Sequence, residues 1–399
     1  MPGPLEGVKV VEMGVWVAGP SCAGILADWG ADVVKIEPPE GDPFRGLFAG
    51  LLNIPMNPPF EQDNRGKRSI ALNLEREDGR AVARHLIDNA DVFVSNMRPR
   101  VLEKHGLGYD ACAARNPGLV YCQVTGYGPD HDESDRAAYD VGAFWSRAGV
   151  VASLMPEGAT EPPSQRGGMG DHMTGANAAG AISAALYNRE KTGRGQRVGV
   201  SLMRIGAYMM SWDLNTHLRM GVPIAPYDRH HAVNPIINNF QDRDGKWFWL
   251  LLLQADRHWP DLLAALDAGH LDADERFNSI PNRMAHQTEL VDELDKLFAT
   301  RSLAEWTPIF DGHNVWFAPV NTIEEVAQDP MAEAARVFVE VESPEGPIKQ
   351  VATPADFWGT PVKLHGWVPE LGQDTEAILL ELGYDWDRII ALKEEGAIP

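Results

Sequence analysis

Over its first 125 residues the chain alternates short apolar runs with amphipathic stretches of helical period, and this alternation narrows the choice of fold more than any other feature. Val8–Met13, Asp32–Glu37, Ser69–Leu74, Asp91–Asn96 and Leu119–Val124 are apolar and mostly rich in β-branched residues, and each gives way to a loop containing Gly, Pro or Asn. A loop at 15–20 leads into a helical stretch that reaches Trp29 and Gly30, and Arg80–Asn89 carries a second helical pattern. Strand, helix, strand repetition predicts an α/β fold, with a Rossmann-like parallel sheet covered by helices. Ligands of such sheets lie beyond the carboxyl ends of the strands, where these loops fall.

Further along, residues 130–168 are rich in Pro, Gly and charge but are punctuated by Tyr139, Phe144 and Trp145, which predicts long ordered loops. An Ala-rich helix is expected over Thr174–Asn188, with Ala178, Ile182, Ala185 and Leu186 near one face, then a strand over Gln196–Leu202. The composition changes near Met220. Residues 1–224 are assigned to the first part of a large domain, 225–330 to a smaller α+β domain carrying the Trp247–Leu253 strand, and 331–399 to a return to the large domain, with a last helix near Asp374–Leu382.

A chain of 399 residues exceeds the size at which one core keeps growing, which agrees with two domains. A net charge of −22 disfavours nucleic acid, and any phosphate-bearing ligand must find a local basic patch. The longest apolar run, Trp247–Leu253, falls far short of the roughly 20 residues that span a bilayer, so no membrane segment is expected. The first residues lack the basic flank and apolar stretch of a secretory signal. Cys22, Cys112 and Cys122 form no C-x-x-C pair, so neither a disulfide scaffold nor a thiolate zinc site is expected, and a reducing cytoplasm fits best.

The most informative segment is Gly167–Gly175, reading GGMGDHMTG. Its glycines permit positive φ and close approach to a ligand. Asp171 stands ahead of the Ala-rich helix, where free amides and the helix dipole favour an anion. A carboxylate there can attack a thioester carbonyl while glycine amides stabilise the oxyanion, and the same residue equally suits a plain helix cap. His172 has no nucleophile in the sequence to pair with and reads as a structural or surface histidine. Adjacent His230 and His231 point apart in regular structure and no carboxylate follows at ligand spacing, so no metal is expected. Basic residues cluster at Asn64–Arg68, and again at Arg98, Arg100 and Lys104, near strand ends where they can meet phosphates or lie on a solvated surface. Neither G-x-G-x-x-G after the first strand, nor a P-loop, nor G-x-S-x-G is present, which lowers the dehydrogenase, kinase and α/β-hydrolase readings.

Taken in order, these pieces resemble the family III CoA-transferases, the group that includes formyl-CoA transferase and carnitine CoA-transferase. The likeness spans nearly the whole chain. It rests on Val10–Met13, Ala18–Pro20, Leu26–Glu37, Gly41–Asp42, Asn64–Leu74, Ala90–Phe93, Asn96–Pro99, Gly106–Tyr109, Thr125–Gly128, Gly170–Asp171, Thr174–Gly175 and Lys191–Gln196. The resemblance implies a large domain built from both chain ends and two ring-shaped subunits interlocked as a homodimer. It implies an acyl-CoA donor, a carboxylic-acid acceptor and coenzyme A as the carried group, with no metal or redox cofactor. Asp171 matches the family's catalytic aspartate. By the same matching the CoA site includes Val17, Ala18, Leu72, Asn73, Asn96, Met97, Arg98 and Lys104, with Tyr139 near the thioester.

The chain departs from the family pattern in places. Pro38 stands where formyl-CoA transferase has an arginine, Arg100 replaces a common glycine, and Gln254–Arg257 replace a glycine-rich loop that covers oxalate-type acceptors, which argues against formyl and oxalyl substrates. α-Methylacyl-CoA racemases resemble the first 100 residues equally well and use a His and an Asp as paired proton carriers. Here their histidine's place is taken by Tyr139 in Ala138–Tyr139–Asp140, and an unperturbed tyrosine is a poor base at neutral pH, which favours transfer.

Overall fold

The computed structural model describes residues 3–156, 158–362, 364 and 366–399, and in it six strands form one parallel sheet. They are β1 (Lys9–Met13), β2 (Asp32–Glu37), β3 (Arg68–Ala71), β4 (Val92–Ser95), β5 (Val120–Thr125) and β6 (Arg197–Ser201). Their order across the sheet is β3-β2-β1-β4-β5-β6, and every neighbouring pair runs parallel. β4 and β5 are buried along their whole length, which is why these strands read as near-continuous apolar runs rather than alternating ones. The order reverses between β1 and β4, so the crevice for a ligand opens beyond Met13 and Ser95.

Two helices settle the geometry at that edge. Helix α1 (Ala18–Asp28) is buried at every residue. The 24-residue helix that carries Asp171, Met169–Thr192, lies against it through small residues. A Cβ built on Gly175 would sit 2.1 Å from Ser21 Oγ and 2.9 Å from the Cys22 amide nitrogen, so only glycine lets the two backbones approach this closely. The expected helix over Thr174–Asn188 therefore begins earlier, at Met169, and Asp171 lies inside its first turn rather than ahead of it.

The chain separates into two compact units. The first comprises residues 1–151, 164–222 and 336–399; the second comprises 152–163 and 223–335, so the stretch from 225 to 330 lies within the second unit, which also takes in 152–163. The C-terminal end rejoins the first unit because Ile378, Leu379, Ile389 and Leu392 enter its core, and Asp374 accepts the Ser69 amide at 2.8 Å. Ile389 and Leu392 belong to a final helix, Trp386–Glu394, which the sequence reading did not include. The second unit is built on a three-stranded antiparallel sheet of β7 (Ile237–Gln241), β8 (Trp247–Leu251) and β9 (Phe317–Pro319). Its core gathers Phe240, Phe248, Trp259, Phe298, Trp306 and Phe310.

Gly175→Ala should lower unfolding stability by about 1–3 kcal/mol because the helices must part. Gly180→Ala, on the same helix with nothing within 4 Å of the added Cβ, should raise it by about 0.5–1 kcal/mol. Urea unfolding of the two variants checks the contrast; equal effects would mean that the close approach is not what holds the helix in place.

Candidate active site

The loop that follows β1 is fixed from beneath by buried charge. Glu12 on β1 faces Lys35 on β2 in the sheet register, and the two pair at 2.8 Å. Lys67 Nζ reaches the other Glu12 oxygen at 2.7 Å, and Lys35 also pairs with Asp42 at 3.1 Å. All four side chains are fully buried. Burial alone would raise the Glu12 pKa, but the two lysines outweigh it and hold it below the usual carboxylate range. The same network grips the loop: Lys35 donates to Gly14 O at 2.9 Å, Lys67 donates to Pro20 O at 2.9 Å, and Asp42 accepts the Trp16 amide at 3.1 Å. At the switch point Asn96 completes the hold, donating to Val15 O at 2.7 Å and accepting the Val15 amide at 3.0 Å.

This corrects one expectation. The basic run at Asn64–Arg68 is not available to phosphates, because its cations are already paired. Arg65 is buried against Asp28 at 2.7 Å, Lys67 belongs to the Glu12 network, and Arg68 pairs with Asp32 and Glu381, each at 2.8 Å. Of the second cluster, the Arg98 and Arg100 side chains are exposed with no ion-pair partner among the described residues, whereas Lys104 pairs with Glu75 at 2.8 Å.

The other expected CoA-site residues fall in two places. Val17, Asn96 and Met97 lie in the two loops at the switch point and Ala18 opens α1, Val17 and Ala18 being buried. Leu72 and Asn73 follow β3. Leu72 is fully buried, its amide donating to Glu37 O at 2.8 Å, and Asn73 is engaged with the C-terminal end, its amide donating to Ala397 O at 2.9 Å.

Asp171 occupies the third position of its helix. The N-cap is Gly168, at a left-handed φ of 72°, and no side chain caps the helix, so the plain capping reading of Asp171 fails. Its half-buried carboxylate accepts no hydrogen bond from any described residue. Close by, the Asp140 carboxylate accepts the Val141 amide at 2.8 Å, Gln165 Nε2 at 2.7 Å and the Gly170 amide at 3.1 Å. One of the glycine amides expected to serve an oxyanion is thus already committed; those of Gly167 and Gly168 donate to nothing among the described residues. A Cβ on Gly170 would lie 2.6 Å from the Phe144 ring, so the turn is packed as tightly as its composition allows. Tyr139 is 61% exposed and meets Trp16 edge-on at 5.8 Å, and Trp16 in turn meets Phe44 at 6.0 Å. Trp16 adopts a φ of 64°, a strained choice for a bulky residue that the Asp42 and Asn96 hydrogen bonds impose.

Sequence reasoning passed over Asp63, Asp140, Gln165 and Trp16. Only Asp140 carried a signal, as the acid of Ala138–Tyr139–Asp140. In the second unit, the chain brings Asp292 and Asp295 beside His230, a grouping invisible along the sequence, although Arg229 holds both Asp295 oxygens at 2.7 and 2.8 Å.

Burial first, and the Asp140 charge second, push the Asp171 carboxyl up to about 7, with His172 acting in the opposite sense. A carboxyl whose folded pKa lies above its ordinary value stabilises the fold at low pH, and loses that contribution as pH rises through about 7. Asp171→Asn should therefore stabilise the protein at pH 8 by roughly 1–3 kcal/mol and change little at pH 4. Denaturant titration at both pH values checks this, and equal shifts would contradict it.

Comparison with known proteins places the chain in a family. A sequence model described as CoA-transferase family III matches residues 5–375. The chain is 32% identical over 398 residues to an (R)-2-hydroxy-4-methylpentanoate CoA-transferase of Clostridioides difficile, covering 99% of both chains. It is 30% identical over 400 residues to a cinnamoyl-CoA:phenyllactate CoA-transferase of Clostridium sporogenes, covering 98% of this chain and 97% of that one. A crystal structure of a CAIB/BAIF family protein from Brucella suis superposes with a TM-score of 0.83 at 30% identity, over 96% of this chain and 100% of the other. On these matches, which run almost from end to end, the chain belongs to CoA-transferase family III.

Proposed function

We propose that Asp171 is the nucleophile of an acyl-CoA:carboxylate CoA-transferase and carries first an acyl group and then CoA. The observation that carries this reading is a half-buried carboxylate with no hydrogen-bond partner among the described residues, set in the first turn of a helix whose preceding glycine amides at 167 and 168 donate to none of them either. A carboxylate without donors around it is a better nucleophile than one already stabilised, and amides aimed at developing charge lower the barrier.

The reaction runs in four acyl transfers. An Asp171 oxygen attacks the donor thioester carbonyl, the C–S bond breaks, and a mixed anhydride and CoA thiolate result. The thiolate attacks the aspartyl carbonyl, the anhydride C–O bond breaks, and the donor acid departs from an aspartyl-CoA thioester. The acceptor carboxylate attacks that thioester and expels the thiolate again. The thiolate then takes the acceptor acyl group from the second anhydride and restores the Asp171 carboxylate. No proton is gained or lost overall, no metal or redox group is required, and exclusion of water preserves the thioester energy.

In this reading CoA enters over the switch point, against Val17, Ala18, Asn96 and Met97, and runs past the segment of Leu72 and Asn73. Arg98 supplies free charge to its phosphates, Lys104 joins by leaving Glu75, and Tyr139 stands near the thioester. The Trp16, Phe44 and Tyr139 rings beside the loop suit acids with a branched or aromatic apolar side chain, the kind named for the two clostridial relatives. The racemase alternative gains no support: Tyr139 stands where a second proton carrier is required, and the adjacent Asp140 is occupied by three donors.

We also infer the interlocked homodimer. Helix Ser211–Met220 has no buried residue, and it and its neighbour expose Tyr208, Trp212 and Leu218 by 76, 86 and 77%, apolar surface that calls for a cover. The cysteines are unpaired and buried, in keeping with action in the cytoplasm.

Asp171→Ala should reduce turnover by about 10⁴-fold while acyl-CoA still binds, measured by steady-state assay of succinyl-CoA and acetyl-CoA against a panel of branched and aromatic acids together with calorimetry. Turnover within ten-fold of the native protein would remove the reading.

A further inference from the structure

The mechanism above leaves one feature beside Asp171 unused. Asp63, near the end of helix α2 (Pro58–Asn64), is 2% exposed, and its Oδ1 meets His172 Nε2 at 3.0 Å. Its second oxygen is buried and accepts no hydrogen bond. A buried carboxylate with half its acceptor capacity empty is costly unless its charge serves a neighbour. His172 follows Asp171 in the chain and shares its helical turn. Its ring is held from the far side as well: a Cβ on Gly168 would lie 3.1 Å from Nδ1 and from Cε1, so the left-handed glycine turn is also what leaves room for the imidazole. The ring is thus fixed between a buried acid and the glycine turn, although its side chain is 46% exposed and could otherwise sample many rotamers.

The charges around Asp171 explain what such a fixed ring is for. The groups acting on it are Asp140 from the loop preceding residues 141–147, Asp63 from α2, and His172 from its own helix. Behind Asp63 stand Lys67 and Glu12 of the buried network. Burial is the largest influence on Asp171, and two of the three charged groups acting on it are acids, so these influences favour the protonated form, which cannot attack. His172 is the one opposing charge. Desolvation works against its protonation, but the hydrogen bond to Asp63 and the charges of Asp63 and Asp171 outweigh it, so its pKa is raised.

We propose that Asp63 and His172 form a positioning pair, in which the buried acid orients the imidazole and holds it as a cation beside the Asp171 carboxylate. The pair touches no reacting atom and moves no proton in the cycle. It sets the fraction of enzyme whose nucleophile is ionised at neutral pH, and it steadies Asp171 each time the carboxylate is released from an acyl intermediate. This role rests on Asp171 being the nucleophile.

The test is the pH profile of kcat/KM for the native protein, His172→Gln and Asp63→Asn, using full-length protein and an acyl-CoA and acid pair that it turns over. His172→Gln is expected to move the acid limb up by about one pH unit, so that activity at pH 6.5 falls about ten-fold and at pH 9 stays within about three-fold of native. Asp63→Asn should move the limb in the same direction by less. If either variant instead loses the same factor at every pH, or shows no change, the pair does not act through charge and the proposal falls. Asp63 is buried, so a drop in melting temperature of Asp63→Asn leaves the half-exposed His172→Gln to decide the matter alone. Asp171→Ala in the same assay separates the two readings. Residual native-like turnover overturns the nucleophile assignment, whereas an inactive Asp171→Ala beside an unshifted His172→Gln overturns only the pair.

Discussion

The buried ion network of Glu12, Lys35, Lys67 and Asp42 is the constraint on which the site depends. Removing four charges from water costs several kcal/mol per ion, and it is tolerated here because each cation faces at least one carboxylate and a backbone carbonyl. What the network achieves is placement. It ties the ends of β1, β2 and β3 to the Gly14–Pro20 loop, and Asn96 ties that loop across to β4. Helix α1 starts from this loop, and the helix bearing Asp171 is seated on α1, with Gly175 permitting the close approach to Ser21 and Cys22. A partly satisfied version of the network would be worse than an apolar core, since an unpaired lysine would seek water and carry the loop with it.

That chain of supports also accounts for the electrostatics of the candidate nucleophile. Asp171 accepts no hydrogen bond from the described residues, whereas Asp140 takes three donors, namely Gln165, the Gly170 amide and the Val141 amide. Burial first, and the like charges of Asp140 and Asp63 after it, push the Asp171 carboxyl up to about 7, with His172 the one charge that opposes them. Reactivity and ionisation pull in opposite directions here. Full ionisation would require donors that blunt the nucleophile, while their removal favours the neutral acid. A cation held at a fixed distance relieves the second difficulty without creating the first.

The sheet was largely legible in the residues, because β-branched and apolar runs ending in Gly, Pro or Asn leave few alternatives, and Asp32–Glu37 was placed with its true ends. The helix bearing Asp171 was legible from Thr174 onward but not at its start. Five residues including a glycine and a polar pair carry little helical signal, and tertiary packing on α1 extends the helix through them. The run at Asn64–Arg68 misleads for a related reason: a string of cations looks solvent-facing until the sheet brings Glu12, Asp28 and Asp32 to meet it. Nothing along the chain marks Asp63 or Gln165, whose importance comes wholly from neighbours more than 20 residues away. Asp171 and the switch-point loops, by contrast, were read from an ordered set of short motifs spanning the chain. That set marks the family to which the chain belongs, because backbone turns and close approaches tolerate few residue types.

A single covalent event distinguishes this account from every other use of the fold. Native protein mixed with a donor acyl-CoA that it turns over, quenched within a few turnovers and digested, should yield the peptide containing Asp171 with its mass increased by CoA bound as a thioester. Hydroxylamine should remove that mass and leave a hydroxamate on the same residue. A competent preparation whose Asp171 peptide stays unmodified through repeated turnover would contradict the account.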